Sequence, residues 1–267
     1  MIGTDTLQQS LQRARHDRRV SQHELSLRLG VSQRHVSFVE RGRARPSRAL
    51  LVAWLDALEA PLVLRNEVML SAGFAPEFSA APLSDPAMTH ANDALTRLLE
   101  AHEPMPAFVL DADWTIVAIN RGAQWLAATV APNALAAQAG SPHNMLALLA
   151  HPDGLLRGMV NLREVAPTML AHLRHDAALR PALHARVSAV EAEYRRRVGT
   201  AASPVVTSRP ASPMVTVRYA TPHGDVAFFS MFTTFGTPRD ITLASLRVEH
   251  LFPADDATRA ILTAQVR

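Results

Sequence analysis

Cysteine is absent from the 267 residues, which excludes a disulfide framework and any thiolate nucleophile or ligand. Lysine is absent too: all 27 basic residues are arginine, a bias to which no functional weight attaches. No apolar run approaches the ~20 residues needed to cross a bilayer. The opening MIGTDTLQQSLQRARHDRR lacks the apolar core of a secretion signal, so a soluble cytoplasmic protein is expected. There is no GxSxG, P-loop or GxGxxG, so nucleophilic and nucleotide-dependent reactions have no anchor, and neither an enzyme, a cofactor nor a metal site is expected. What remains is globular composition, 48% hydrophobic and 19% charged, long enough for one large domain or two ordinary ones.

The stretch around which the chain is organised is Ser21 to Arg45, SQHELSLRLGVSQRHVSFVERGRAR. Ser21 followed three residues later by Glu24 reads as a capping box, opening a helix that turns Leu25 and Leu29 inward. Gly30 ends that helix, because a residue past a helix end often takes positive φ and glycine does so at least cost. Ser32 caps the next, with Val36 and Val39 inward and Gln33, Arg34, Ser37 and Phe38 directed elsewhere. Two short helices about a tight break are the layout of a helix-turn-helix. A glutamine amide pairs with adenine and an arginine guanidinium with guanine in the major groove, so a first turn reading Gln33-Arg34 is equipped to read bases. Gln22 at a helix start, and Arg41, Arg43, Arg45 and Arg48 beyond the second helix, suit phosphate. Residues 1 to 48 hold ten Arg against four acidic residues, a net of +6 in a chain whose total is +3.

The set Ser21-Gln22, Leu25, Gly30-Val31-Ser32, Val36-Ser37 and Glu40-x-Gly42 resembles the XRE, or Cro/cI-type, helix-turn-helix domain over roughly residues 4 to 73. That resemblance implies base contacts from Gln33, Arg34 and Phe38, phosphate contacts from Gln22 and Arg43, and a pair between Arg15 and Glu40. Two residues depart from the family pattern: Ser26 replaces the usual alanine and Phe38 a commonly polar base reader.

Around the motif, periodicity predicts helices over 4–18, from Ser47 and from Pro61 to Gly73, giving a five-helix all-α domain at 1–74. Prolines 76, 82 and 86 mark a linker, 75–86, and a second domain, 87–267, is expected to be α+β. It opens with a helix to His102, then the runs AFVL and TIVAI about Asp111-Ala112-Asp113-Trp114, a hairpin ending at Asn120 before a helix. A small-residue loop, 131–142, and helices at about 143–151, 153–175 and 178–198 follow, the last Arg/Glu-rich and expected to be largely solvated. After another Pro/Ser segment come a second hairpin about Pro222-His223-Gly224-Asp225, a strand in ASLRVEHLF and a terminal helix. Val215, Val217 and Tyr219 alternate, as do Val226, Phe228 and Ser230, which suits an antiparallel sheet with one covered face.

The strand, acidic turn, strand and Asn resemble the opening of a PAS-type sensor fold. With PLVLRNEVMLSAGFAPEF, HEPMPAFVLDADWTIVAIN and FTTFGTPRDITLASLRVEHLFPAD, the chain resembles regulators carrying an MmyB-like ligand-binding domain. The resemblance implies a mostly apolar cavity for a small, fatty-acid-like ligand, with Phe108, Leu110, Trp114, Ile116, Trp125, Phe229, Met231 and Phe232 as candidate lining. A homodimer is expected, its two recognition helices entering successive major grooves of an approximately palindromic double-stranded operator, and no membrane partner is expected. A second reading stays open, a DNA-binding interaction module of antitoxin or scaffold type with no small-molecule ligand. His172 and His175 share a helix face, and His151 and His223 sit beside Asp153 and Asp225, but proline, glycine and aspartate already explain those two turns.

Overall fold

The computed structural model describes residues 6–199 and 214–266. The polar start as far as residue 5 and the Pro/Ser segment at 200–213 lie outside the described residues. The chain forms two units, Met1–Asp85 with Thr237–Ala244, and Pro86–Gly236 with Ser245–Arg267.

The first unit is helical: α1 (Leu7–Asp17), α2 (Gln22–Leu29), α3 (Gln33–Glu40), α4 (Arg48–Ala57) and α5 (Leu62–Ser71). Each of the first four starts at a hydroxyl cap, Thr6, Ser21, Ser32 or Ser47, which accepts a backbone N–H otherwise left unpaired. The reciprocal capping box belongs to α1, where Gln9 answers Thr6. At Ser21 only half a box forms, because the Glu24 carboxylate turns to Arg28 four residues on. Gly30 closes α2 at φ +65°, and Gly42 turns the chain after α3 at φ +70°. Leu11, Leu25, Val36, Val39, Leu51, Trp54, Leu55, Val68 and Met69 meet in the centre, none more than 1% exposed.

The proline stretch departs from a simple linker, since residues as far as Asp85 cluster with the helices. Half-turned backbone there has donors that a helix does not satisfy, and side chains take them. Asn66 on α5 accepts the N–H groups of Glu77 and Phe78 and donates to the Phe78 carbonyl. Asp240, far along the chain, accepts the Ser79 hydroxyl and the N–H of Ala81. Burial pushes the Asp240 carboxyl up, but the Ser79 hydroxyl and the amides of Ala81, Leu243 and Thr242 together hold it below the usual range.

The second unit begins with α6 (Thr89–Ala101) and is built on a five-stranded antiparallel sheet ordered β2-β1-β5-β4-β3. The strands are β1 (Ala107–Leu110), β2 (Ile116–Ile119), β3 (Val217–Thr221), β4 (Gly224–Thr234) and β5 (Arg247–Pro253). Asp111 nucleates the first hairpin by accepting the N–H groups of Asp113 and Thr115, both at 2.8 Å. The buried Asn120 ends β2, caps α7 (Arg121–Val130), accepts the Ala107 N–H and donates to the Met105 carbonyl.

Between the hairpins lie α8 (Pro132–Ala136), α9 (Met145–Ala150), α10 (Leu155–Gly158), α11 (Leu162–Leu179) and α12 (His184–Val198). Three sequence expectations are corrected here. The small-residue stretch 131–142 contains a helix, opened by Pro132 at a position where a missing N–H costs nothing. The helix expected over 153–175 is two, and the next begins at His184 because Pro181 opens a short 3-10 turn. Finally α12 is not simply solvated: Val187, Val190 and Glu193 are buried, the carboxylate held by Arg196 and Arg197. The chain closes with α13 (Ile241–Ser245), assigned largely to the first unit, then β5 and α14 (Asp256–Gln265), whose Thr258 accepts the Ala227 N–H.

Candidate DNA interface and ligand cavity

Gln33 and Arg34 are both exposed on the first turn of α3. The Arg34 guanidinium lies 5.0 Å from the centre of the half-buried Phe38 ring one turn later, so an apolar plate supports the cation. Ser37, read from sequence as outward, is instead buried at 6% exposure and accepts from the Arg41 guanidinium. The helix rotates Ser37 between the valines and the second-turn surface, and a small hydroxyl fits that boundary. Arg41, Arg43, Arg45 and Arg48 are exposed beyond α3.

The foot of α3 is fixed by charge. Arg15 donates to both Glu40 oxygens at 2.7 and 2.9 Å and to the Val20 carbonyl, and neither partner is more than 8% exposed. The Gln22 side chain also donates to Glu40 at 2.7 Å. One N–H of the Gln22 amide thus steadies the ion pair, and the expected phosphate role rests on its second N–H and on the backbone N–H at the start of α2. The substituted Ser26 is buried and satisfied, its hydroxyl donating to the His23 carbonyl.

In the second unit, one sheet face and the helices over it enclose a cavity of about 360 Å³. That lies within the ~300–1,000 Å³ usual for small-molecule sites. Phe108, Trp114, Ile116 and Ile119 line it from the first hairpin. A register irregularity between Val109 and Leu110 pairs Phe108 with Ile119 but Leu110 with Ile116. Such a bulge lets two isoleucines three residues apart share a face. Val217, Tyr219, Phe228, Ser230, Phe232, Glu249 and Leu251 line it from the other strands, and Leu148, Leu149, Met169 and His172 are among those closing it from the helices.

Four of the expected lining residues lie elsewhere. Leu110 is fully buried in the core without reaching the cavity wall. Phe229 and Met231 fall on the opposite face, because side chains alternate along β4: Phe229 stacks on Phe252 and Met231 is 55% exposed. Trp125 lies near His223 at 6.1 Å. The alternation of Val226, Phe228 and Ser230 already carried the correct parity, and extending it would have selected Phe232 over Phe229 and Met231.

Composition did not signal Glu249. On β5 it stands opposite Phe232 and Phe108, and with Ser230 and the Tyr219 hydroxyl it brings polarity to an otherwise apolar sheet wall. Half-buried at the cavity wall, its carboxyl is pushed up by desolvation from 4.5 to about 7, with Arg247 and the Ser230 hydroxyl pulling the other way. Burial also pushes the neighbouring Tyr219 hydroxyl well above its ordinary range. Arg247 is engaged elsewhere, donating to Asp176 at 2.9 Å and lying 3.9 Å over the Trp114 ring, whose N–H donates to the same carboxylate.

A five-helix unit with an exposed Gln-Arg turn, followed by a unit with a sheet-walled cavity, has the parts of a two-unit helix-turn-helix protein. Residues 91–264 match the MmyB-like transcription regulator ligand binding domain and residues 11–64 the helix-turn-helix model, and the chain belongs to the MmyB-like family. It is 38% identical over 69 residues to an uncharacterized HTH-type transcriptional regulator, y4dL, of Sinorhizobium fredii (strain NBRC 101917 / NGR234), covering 26% of this chain and 35% of that relative. The chain thus spans about a third of the length of this curated relative. Among solved structures, the clp gene regulator ClgR from Corynebacterium glutamicum is 30% identical, over 37% of this chain and 90% of that one, with a TM-score of 0.22. An RNA-binding Light-Oxygen-Voltage receptor is 13% identical, over 96% and 60%, with a TM-score of 0.27.

Proposed function

We propose that this protein is a sequence-specific regulator that binds double-stranded DNA as a homodimer and responds to a small apolar ligand in its second unit. The observation that carries the DNA reading is the side-by-side exposure of Gln33 and Arg34 at the start of α3, backed by Arg41, Arg43 and Arg45. An amide and a guanidinium there distinguish base edges, and the surrounding arginines attract phosphate irrespective of sequence. A dimer sets two such helices one helical turn apart, roughly 34 Å, so its operator is an approximate palindrome. The cavity supports the ligand reading, because its walls are nearly all hydrocarbon and match a ligand with a hydrocarbon body of fatty-acid-like size. The apolar cavity also favours this reading over an interaction module without a ligand. Selection from random duplexes is the test, with and without cell lipid extract. A palindromic consensus whose recovery changes with extract is expected; equal recovery of all sequences refutes the regulator reading.

A further inference from the structure

The cavity's chemistry bears on the ligand's head group, an inference that rests on the apolar-ligand reading above. Its sheet wall is apolar except at Glu249, Ser230 and the Tyr219 hydroxyl. Glu249 stands opposite Phe232 and diagonal to Ser230, which pairs with Leu251, so the carboxyl and hydroxyl sit together in a field of hydrocarbon. Among the described residues no ion pair reaches Glu249: Arg247 acts on it through space while its own guanidinium is held by Asp176 and Trp114.

A carboxyl in that position has acceptor capacity left over, since a single neighbouring hydroxyl such as that of Ser230 can satisfy only one of its several lone-pair sites. Leaving it desolvated is unfavourable, and a ligand atom that donates to it removes the penalty. We propose that the cavity takes a molecule with an apolar body and a hydrogen-bond-donating head, best a protonated amine, which Glu249 and Ser230 receive. A free carboxylate head is disfavoured beside Glu249, because it brings a second acidic group against that carboxyl and no arginine lines the cavity, whose basic side chains are His143 and His172.

Decylammonium, decanol and decanoate, matched in chain and used below their micelle concentrations, separate the possibilities by titration calorimetry on the full chain. The expected order is amine, then alcohol, then carboxylate, with the ends differing by at least about tenfold, as a charge-assisted hydrogen bond warrants. Glu249→Gln should lower amine affinity by about tenfold and change decanol by less than about twofold, because amide and acid have the same shape. Ser230→Ala provides a milder variant, with a loss of about threefold for the amine alone. A thermal melt of each variant checks that it folds. Decanoate binding as tightly as decylammonium, or Glu249→Gln leaving the order intact, overturns the head-group inference while keeping an apolar ligand. Failure of all three to bind overturns the apolar-ligand reading and the inference together.

Discussion

Replacing Glu40 by alanine tests the reasoning about how the base-reading helix is held. The carboxylate receives two N–H groups from Arg15 and one from Gln22, and with Glu40 only 2% and Arg15 8% exposed, water cannot replace it. Breaking a buried pair by removing one partner costs about 3–5 kcal/mol, most of it from the charge left behind. Glu40 also lies at the C-terminal end of α3, where the helix dipole disfavours an anion, so the stabilisation comes from its partners. Because the chain has two units, a single melting point would blend them, and hydrogen exchange resolved by peptide is the better assay. Amides of α1 to α3 should lose about two to nearly four orders of magnitude in protection, while peptides of the sheet keep theirs. The double variant Arg15→Met/Glu40→Leu should recover most of that loss, since a buried pair is often replaceable by hydrocarbon of similar volume. A loss of less than about fivefold in Glu40→Ala would refute the argument.

Three further outcomes are expected. Gln33→Ala or Arg34→Ala should each relax base preference at one operator position by about 1–3 kcal/mol, read by competition among single-substitution duplexes. Arg43→Ala should weaken all sequences alike and reduce the slope of log affinity against log salt by about 0.9, and an unchanged slope would remove its phosphate role. The third concerns pH. The folded chain keeps the Glu249 proton to about pH 7 while the unfolded chain releases it near 4.5, so stability attributable to this group falls as pH rises through that window. His102 and His250 act oppositely: burial lowers both, so they cost stability as pH falls below their usual 6.5. Subtracting the Glu249→Gln profile from the parent in urea titrations from pH 4.5 to 8 isolates the carboxyl, and a flat difference would show it solvated.

What was legible in the sequence is what local chemistry determines. Hydroxyl caps, the glycine at the α2 end, the acidic hairpin at Asp111 and the Asn120 cap act within a few residues, so spacing alone locates them. Long-range choices were less visible. Whether Glu24 answers Ser21 or Arg28 depends on competing partners on one surface, and the Gln22 amide was claimed by a carboxylate 18 residues away. The lining error at Phe229 and Met231 came from following apolar character along β4 where parity decides, and Glu249 is legible only once β5 is set against β4. Backbone donors drew the 75–85 stretch onto Asn66 and Asp240, a demand that proline content does not announce.

Strands β4 and β5 both wall the cavity, yet Thr237–Ala244, most of the connection between them, is counted with the helix-turn-helix unit through Asp240. The polypeptide therefore returns to the first unit at Thr237 and leaves it again after Ala244, making three covalent crossings in all. An N-terminal fragment cut near residue 85 leaves the Asp240 clasp behind.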